Sequence, residues 1–260
     1  MKIAVITLSN QGSVVAARLV ENLPAAEMYA HESVVTDGRA RKFARIVELT
    51  SRVFHTHSGL VYVAPTGVAV RAVAPQVGHK LTDPAVVAVD VGGRWAVSLL
   101  GGHERGANDL ALAVSNILSA EPVISTTTEA LKSLIVGIGC RKGTDCAAIV
   151  SAVRAVLGDA RLDAGDVRLL ASADIKSNEN GLLIASRELG IPIRFLSSDE
   201  ICNSPRDFRR SEFVQDKVDL PAVAEPAALL AGRRTTLIVP RKVRDGVTVA
   251  VAKENVLWAE

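Results

Sequence analysis

Short apolar runs alternate with amphipathic stretches along most of the chain, the pattern of strands and helices in succession. Lys2 to Leu8 reads as a strand, and Gly12 and Ser13 open a helix through Ala16, Ala17, Leu19 and Val20. Phe43, Ile46, Val47 and Val53 recur near helical spacing between Arg39 and Phe54, which predicts a second helix. Leu60 to Ala64 is a strand that Pro65-Thr66-Gly67 turns into a helix ending near Pro75. Ala85 to Val91 is almost continuously apolar, as a strand covered on both faces must be. Gly92-Gly93 leads into a strand from Trp95 to Leu100, and Asn108 to Leu118 reads as a helix.

The pattern lapses at Ser125 to Lys132 and then restarts. Leu134 to Ile138, Val167 to Ala171 and Ile193 to Leu196 read as strands, with helices at Asp145 to Leu157 and Glu179 to Leu189. Leu237 to Val239 and Val247 to Ala252 are late strands that Asp245-Gly246 can join as a hairpin. Asp207 to Lys217 is charged and reads as a surface loop or exposed helix. The expected fold class is α/β: two α/β domains in tandem, residues 1–130 and 131–260, each a mostly parallel sheet flanked by helices.

Composition narrows the function classes. With 48% hydrophobic residues and a formal net charge of +2, the chain is neither disordered nor drawn to nucleic acid by its charge. Nine aromatics are too few and too scattered for a base-stacking platform. No apolar run approaches the roughly 18–20 residues that cross a bilayer, and MKIAVITLSN reads as a strand, so the expected setting is the cytoplasm, without membrane contact. Cys140, Cys146 and Cys202 are odd in number and form no CxxC pair, which argues for reduced thiols and against structural zinc. His55 and His57 would share a face if they lay on a strand, but no carboxylate or cysteine stands beside them to complete a metal site.

Four segments can carry chemistry. In TGVAVRAVAPQVGHK, Gly67 opens a helix whose N–H groups can meet an anion, with the cations Arg71 and Lys80 beyond it. In GGHERGAND, Gly101, Gly102 and Gly106 surround His103, a group able to act as acid or base near neutral pH. Asn108 and Asp109 there can orient a water or simply cap the next helix. GIGCRKGTD misses the dinucleotide pattern by one residue; Gly137, Gly139, Arg141 and Lys142 suit a carboxylate better, and Cys140 reads as a small buried residue. SADIKSNENGL carries Lys176 and Glu179, a surface ion pair or part of a site.

Taken together these segments resemble the cobalt-precorrin 5A hydrolase family of anaerobic cobalamin biosynthesis. Gly59 to Asp90, Ser98 to Asp109 and Gly137 to Thr144, followed by SADIKSNENGL, VAEPAALLAG and VTVAVA, appear in that family's order. Residues 134–255 look like the C-terminal domain that also occurs alone in the aerobic pathway. Two features depart from the family: Glu104-Arg105-Gly106 replaces the usual Leu-Gly-Gly, and Thr126 to Ala130 leads almost directly to Leu134 where a middle region is common.

The resemblance implies hydrolysis of a δ-lactone on a cobalt-containing tetrapyrrole, with release of acetaldehyde. The substrate carries its own cobalt, so no protein-bound cofactor or metal is implied. Its rim carboxylates give Arg71, Lys80, Arg141, Lys142 and Lys176 a purpose, with Gly67, Gly101, Gly102, Asn108, Gly137, Gly139 and Glu179 as further binding positions. His103 would activate water and Asp109 would orient it. Other expectations are a transient contact with corrinoid methyltransferases and a state left open between monomer and homodimer. Rival readings are a non-catalytic carrier of corrinoid intermediates and, on GIGCRKGTD, a nucleotide-dependent enzyme.

Overall fold

The computed structural model describes residues 2–208 and 220–257, and the charged stretch expected at Asp207 to Lys217 lies almost wholly outside them. The chain divides into two compact units, Met1–Thr126 and Thr127–Glu260. Both are α/β, as the alternation of apolar runs requires.

In the first unit the elements run β1 (Ile3–Thr7), α1 (Asn10–Asn22), β2 (Ala26–His31), β3 (Arg41–Phe43), α2 (Ile46–Phe54), β4 (Gly59–Val63) and α3 (Thr66–Val73). They continue through β5 (Ala85–Val89), β6 (Trp95–Leu100), α4 (Ala107–Leu118) and β7 (Glu121–Val123). The sheet order is β3-β2-β1-β4-β5-β6-β7, parallel throughout except where β6 runs against β5. Alternate residues serve opposite faces, as strand geometry dictates. Ile3, Val5, Val61, Val63, Val87 and Val89 pack beneath α1 and α4, while Ala4, Ile6, Leu60, Tyr62, Val86 and Ala88 pack beneath α2 and α3.

Three expectations need correction here. α1 begins at Asn10, because the Ser9 hydroxyl accepts the Gly12 N–H and sets the start two residues early. The helix expected over Arg39 to Phe54 is a short strand followed by α2; Phe43 is buried from β3, and Arg45 holds an extended conformation that separates the two. His55 and His57 share no strand: His55 ends α2, and His57 is buried with its Nδ1 3.2 Å from the Val53 carbonyl and its Nε2 3.5 Å from the Tyr29 hydroxyl.

The second unit runs α5 (Thr127–Ala130), β8 (Leu134–Gly139), α6 (Cys146–Asp159), β9 (Val167–Ala173), α7 (Asn180–Leu189), β10 (Ile193–Leu196) and α8 (Ser198–Cys202). After these come α9 (Ala224–Leu230), β11 (Thr235–Arg244) and β12 (Val247–Glu254). Its sheet order is β10-β9-β8-β12-β11, with β8, β9 and β10 parallel and the β11–β12 hairpin antiparallel beside them. Asp245 and Gly246 turn the hairpin with φ of 49° and 78°, the left-handed pair such a turn requires. α6 and α7 cover one face through Ile149, Val153, Leu182 and Ala185. α9 lies on the other face, against β8 and β12. Among the described residues no helix is long and apolar enough to cross a membrane.

Candidate functional site

The GGHERGAND loop follows β6 and is braced from within. Gly101 takes φ of 75°, a conformation L side chains avoid, and its carbonyl accepts the N–H groups of Arg105 and Ala107, both at 3.1 Å. The Gly102 carbonyl accepts the Asn108 N–H at 3.1 Å. Asn108 is buried; its Oδ1 accepts from the Ser98 hydroxyl at 2.8 Å and its Nδ2 donates to Thr126 Oγ1 at 2.9 Å. The amide is therefore a strut of the loop. Asn108→Ala should destabilise the first unit by about 1–3 kcal/mol through the unpaired hydroxyls it leaves, measurable by urea denaturation.

His103 stands exposed at the tip of this loop. Asp109, expected to orient it, faces solvent in the first turn of α4, where a carboxylate favours the helix dipole. Among the described residues no hydrogen bond joins the two. Lys80 reaches Glu104 at 3.4 Å, and Arg105 Nε donates to the Asp83 carbonyl at 3.0 Å, which ties the loop to the segment before β5. The Glu104 carboxyl is held below its usual range by its own backbone N–H and by Lys80. Part of the positive charge expected of Lys80 is thus already answered.

Gly67 and Arg71 lie elsewhere. Val63 pairs with Val89 and Val89 with Ala96, whereas Leu100 pairs with Val86. Because β6 is antiparallel, the His103 loop leaves the sheet where β4 and β5 begin, and Gly67 follows the end of β4, roughly 13 Å further along the strands. The two loops therefore leave opposite ends of the sheet. Arg71 folds back on its own helix, its Nη1 donating to the Gly67 carbonyl at 3.2 Å.

In the second unit Lys142, Lys176 and Glu179 converge. β8 and β9 are parallel and end side by side, so the 139–145 loop and the turn after β9 rise from one edge, where open α/β sheets place ligands. Together they line a cleft of about 890 Å³, near the upper end of the roughly 300–1,000 Å³ typical of ligand pockets. Lys142, Lys176 and Glu179 line it, with Gly143, Thr144, Asn178 and Asn180. Gly139, which ends β8 and faces Val223 and Thr248, and Arg141, exposed on the loop after it, are not among the lining residues. Lys176 Nζ lies 3.5 Å from Glu179 Oε1, and the Gly143 N–H donates to Glu179 Oε2 at 2.9 Å. Burial pushes the Cys140 thiol up against the pull of Lys176, so it is a poor nucleophile at neutral pH.

Gly137 has a different task from the one expected. A Cβ there would lie 1.9 Å from the Ala224 carbonyl oxygen, so this glycine admits α9 against β8. A dinucleotide loop would have left it facing the phosphates. Thr144, Asn178 and Asn180 escaped the sequence reading although each lies inside or beside a quoted segment; polar residues at a helix start carry no mark that separates capping from binding.

The fold is that of an α/β protein with a cleft at parallel strand ends, edged by Lys142 and Lys176 and by the carboxylates Asp145 and Glu179. Residues 134–252 match the Cobalamin synthesis G C-terminus family and residues 48–129 the Cobalamin synthesis G N-terminal family. The chain belongs to this family of cobalamin synthesis proteins. It is 36% identical over 127 residues to a cobalt-precorrin-5A hydrolase of Salmonella typhimurium, a match over 49% of this chain and 36% of that relative's length. A protein of the same name from Priestia megaterium is 23% identical over 302 residues, covering 78% of this chain and 80% of the relative. The protein CobE of Sinorhizobium is 34% identical over 136 residues, covering 52% of this chain and 88% of its own length.

Proposed function

We propose that the chain acts in cobalamin biosynthesis by opening the δ-lactone of cobalt-precorrin-5A, with release of acetaldehyde and formation of cobalt-precorrin-5B. The observation that carries this reading is the cleft of the second unit, where Lys142 and Lys176 edge a space suited to the carboxylates of a tetrapyrrole rim and the Gly143 N–H already holds a carboxylate, that of Glu179. Two relatives named cobalt-precorrin-5A hydrolase support the reading. His103 takes a proton from the attacking water, whose oxygen bonds to the lactone carbonyl carbon. The ring C–O bond breaks and the freed alcohol is deprotonated. Its C–C bond then cleaves, acetaldehyde leaves, and the electron pair stays on the macrocycle. Cobalt enters and departs with the substrate.

Lys142→Glu tests the binding half of the proposal. Reversing one exposed charge beside a polyanion should weaken binding of cobalt-precorrin-5A about tenfold at low salt, with less effect at high salt. Unchanged affinity by absorbance titration would move the ligand out of this cleft. The carrier reading has one observation in its favour, namely that no hydrogen bond orients His103 among the described residues.

A further inference from the structure

We infer that Glu179 is a displaceable latch, whose carboxylate sits where the cleft receives a carboxylate of its ligand, so that binding exchanges one for the other. The inference rests on the reading of this cleft as a carboxylate site. Glu179 uses both oxygens, one on the Gly143 N–H at 2.9 Å and the other toward Lys176 at 3.5 Å. The Lys176 and Glu179 side chains are only 13% and 15% exposed, so solvent does little to loosen the pair. The two donors are the kind an external carboxylate seeks, a backbone N–H and an ammonium, and they cannot serve both anions at once. The longer contact exceeds good hydrogen-bond length and is the weaker hold.

The displaced side chain has somewhere to go. Glu179 occupies the N-cap position of α7 but makes no capping hydrogen bond there. By contrast Asp145, at the start of α6, spends its carboxylate on the Ala147 N–H and leaves the Gly143 N–H to Glu179. Once released, Glu179 can turn to the unmet N–H groups and positive dipole end of its own helix. Exchange therefore trades one anion position for another instead of stranding a charge.

The test uses the full chain, with Glu179→Gln and Glu179→Ala, titrated calorimetrically with cobalt-precorrin-5A and separately with tricarballylate. Both variants should bind each probe roughly tenfold tighter than wild type, the order expected when a charge-assisted contact need no longer be broken. The Gly143 amide should exchange slowly in wild type, faster in Glu179→Ala, and slowly again with saturating tricarballylate. Tightening with tricarballylate alone sustains the latch and removes the tetrapyrrole reading. Binding of cobalt-precorrin-5A without tightening in either variant overturns the latch and leaves that reading intact. No tightening with either probe, or Gly143 exchange indifferent to Glu179→Ala, also overturns it.

Discussion

His103→Ala should lower acetaldehyde release by a factor of about 10²–10⁴, the usual contribution of a general base, while leaving the affinity for cobalt-precorrin-5A within about twofold. The imidazole is exposed, so its removal leaves no cavity and the fold should survive. What surrounds it is rigid: three backbone hydrogen bonds onto Gly101 and Gly102 and the buried Asn108 network fix the loop that carries it. Asp109→Asn is the control. Because Asp109 makes no bond to His103, turnover should stay within about threefold of wild type, and a small loss of stability from the α4 dipole is the only other change expected. Release by His103→Ala within threefold of wild type would remove the imidazole from the chemistry.

Gly137→Ala should destabilise the second unit by about 3 kcal/mol or more, beyond the common range for one added methyl group. The new Cβ would meet the Ala224 carbonyl oxygen at 1.9 Å and the Ala228 N at 2.8 Å, both backbone atoms of a packed helix that cannot rotate away. β8 is buried on both faces, so relief requires α9 to lift, exposing Ala228, Leu229 and Ala252. Denaturant unfolding should show a transition at lower urea, and Gly139→Ala is the comparison. There the nearest contact for a Cβ is 3.5 Å, ordinary packing, and the loss should be under about 1 kcal/mol. Equal effects at the two positions would contradict the packing argument.

Central strands were legible because burial on both faces writes them as continuous apolar runs: Ala85–Val89 is buried at every position. Ala26–His31 and Arg41–Phe43 were not, since these strands lie toward one edge of the sheet: Glu27 and His31 interrupt the apolar residues of the first, and Phe43 is the one apolar residue of the second. Phe43 fitted a helical spacing with Ile46 and Val47 by coincidence; it is buried by the sheet. The motifs of the candidate site were legible as segments, but their grouping was not. Strand direction decides which loops share an end, and its one mark is the short Gly92-Gly93 connection, which allows Trp95–Leu100 to pair with β5 only antiparallel. Nor does a sequence distinguish a glycine that admits a ligand from one that admits a helix, as Gly137 admits α9. Lys176 and Glu179 were readable because the pair is local; the Gly143 N–H that completes it lies 36 residues away.

The most direct measurement is incubation of the full-length chain with cobalt-precorrin-5A, with acetaldehyde quantified alongside the change in the macrocycle's absorbance. The account predicts one acetaldehyde per substrate consumed, over many turnovers, and far slower release by His103→Ala. Saturable binding at Lys142 and Lys176 with no acetaldehyde above the protein-free rate would contradict it, and would make the chain a carrier.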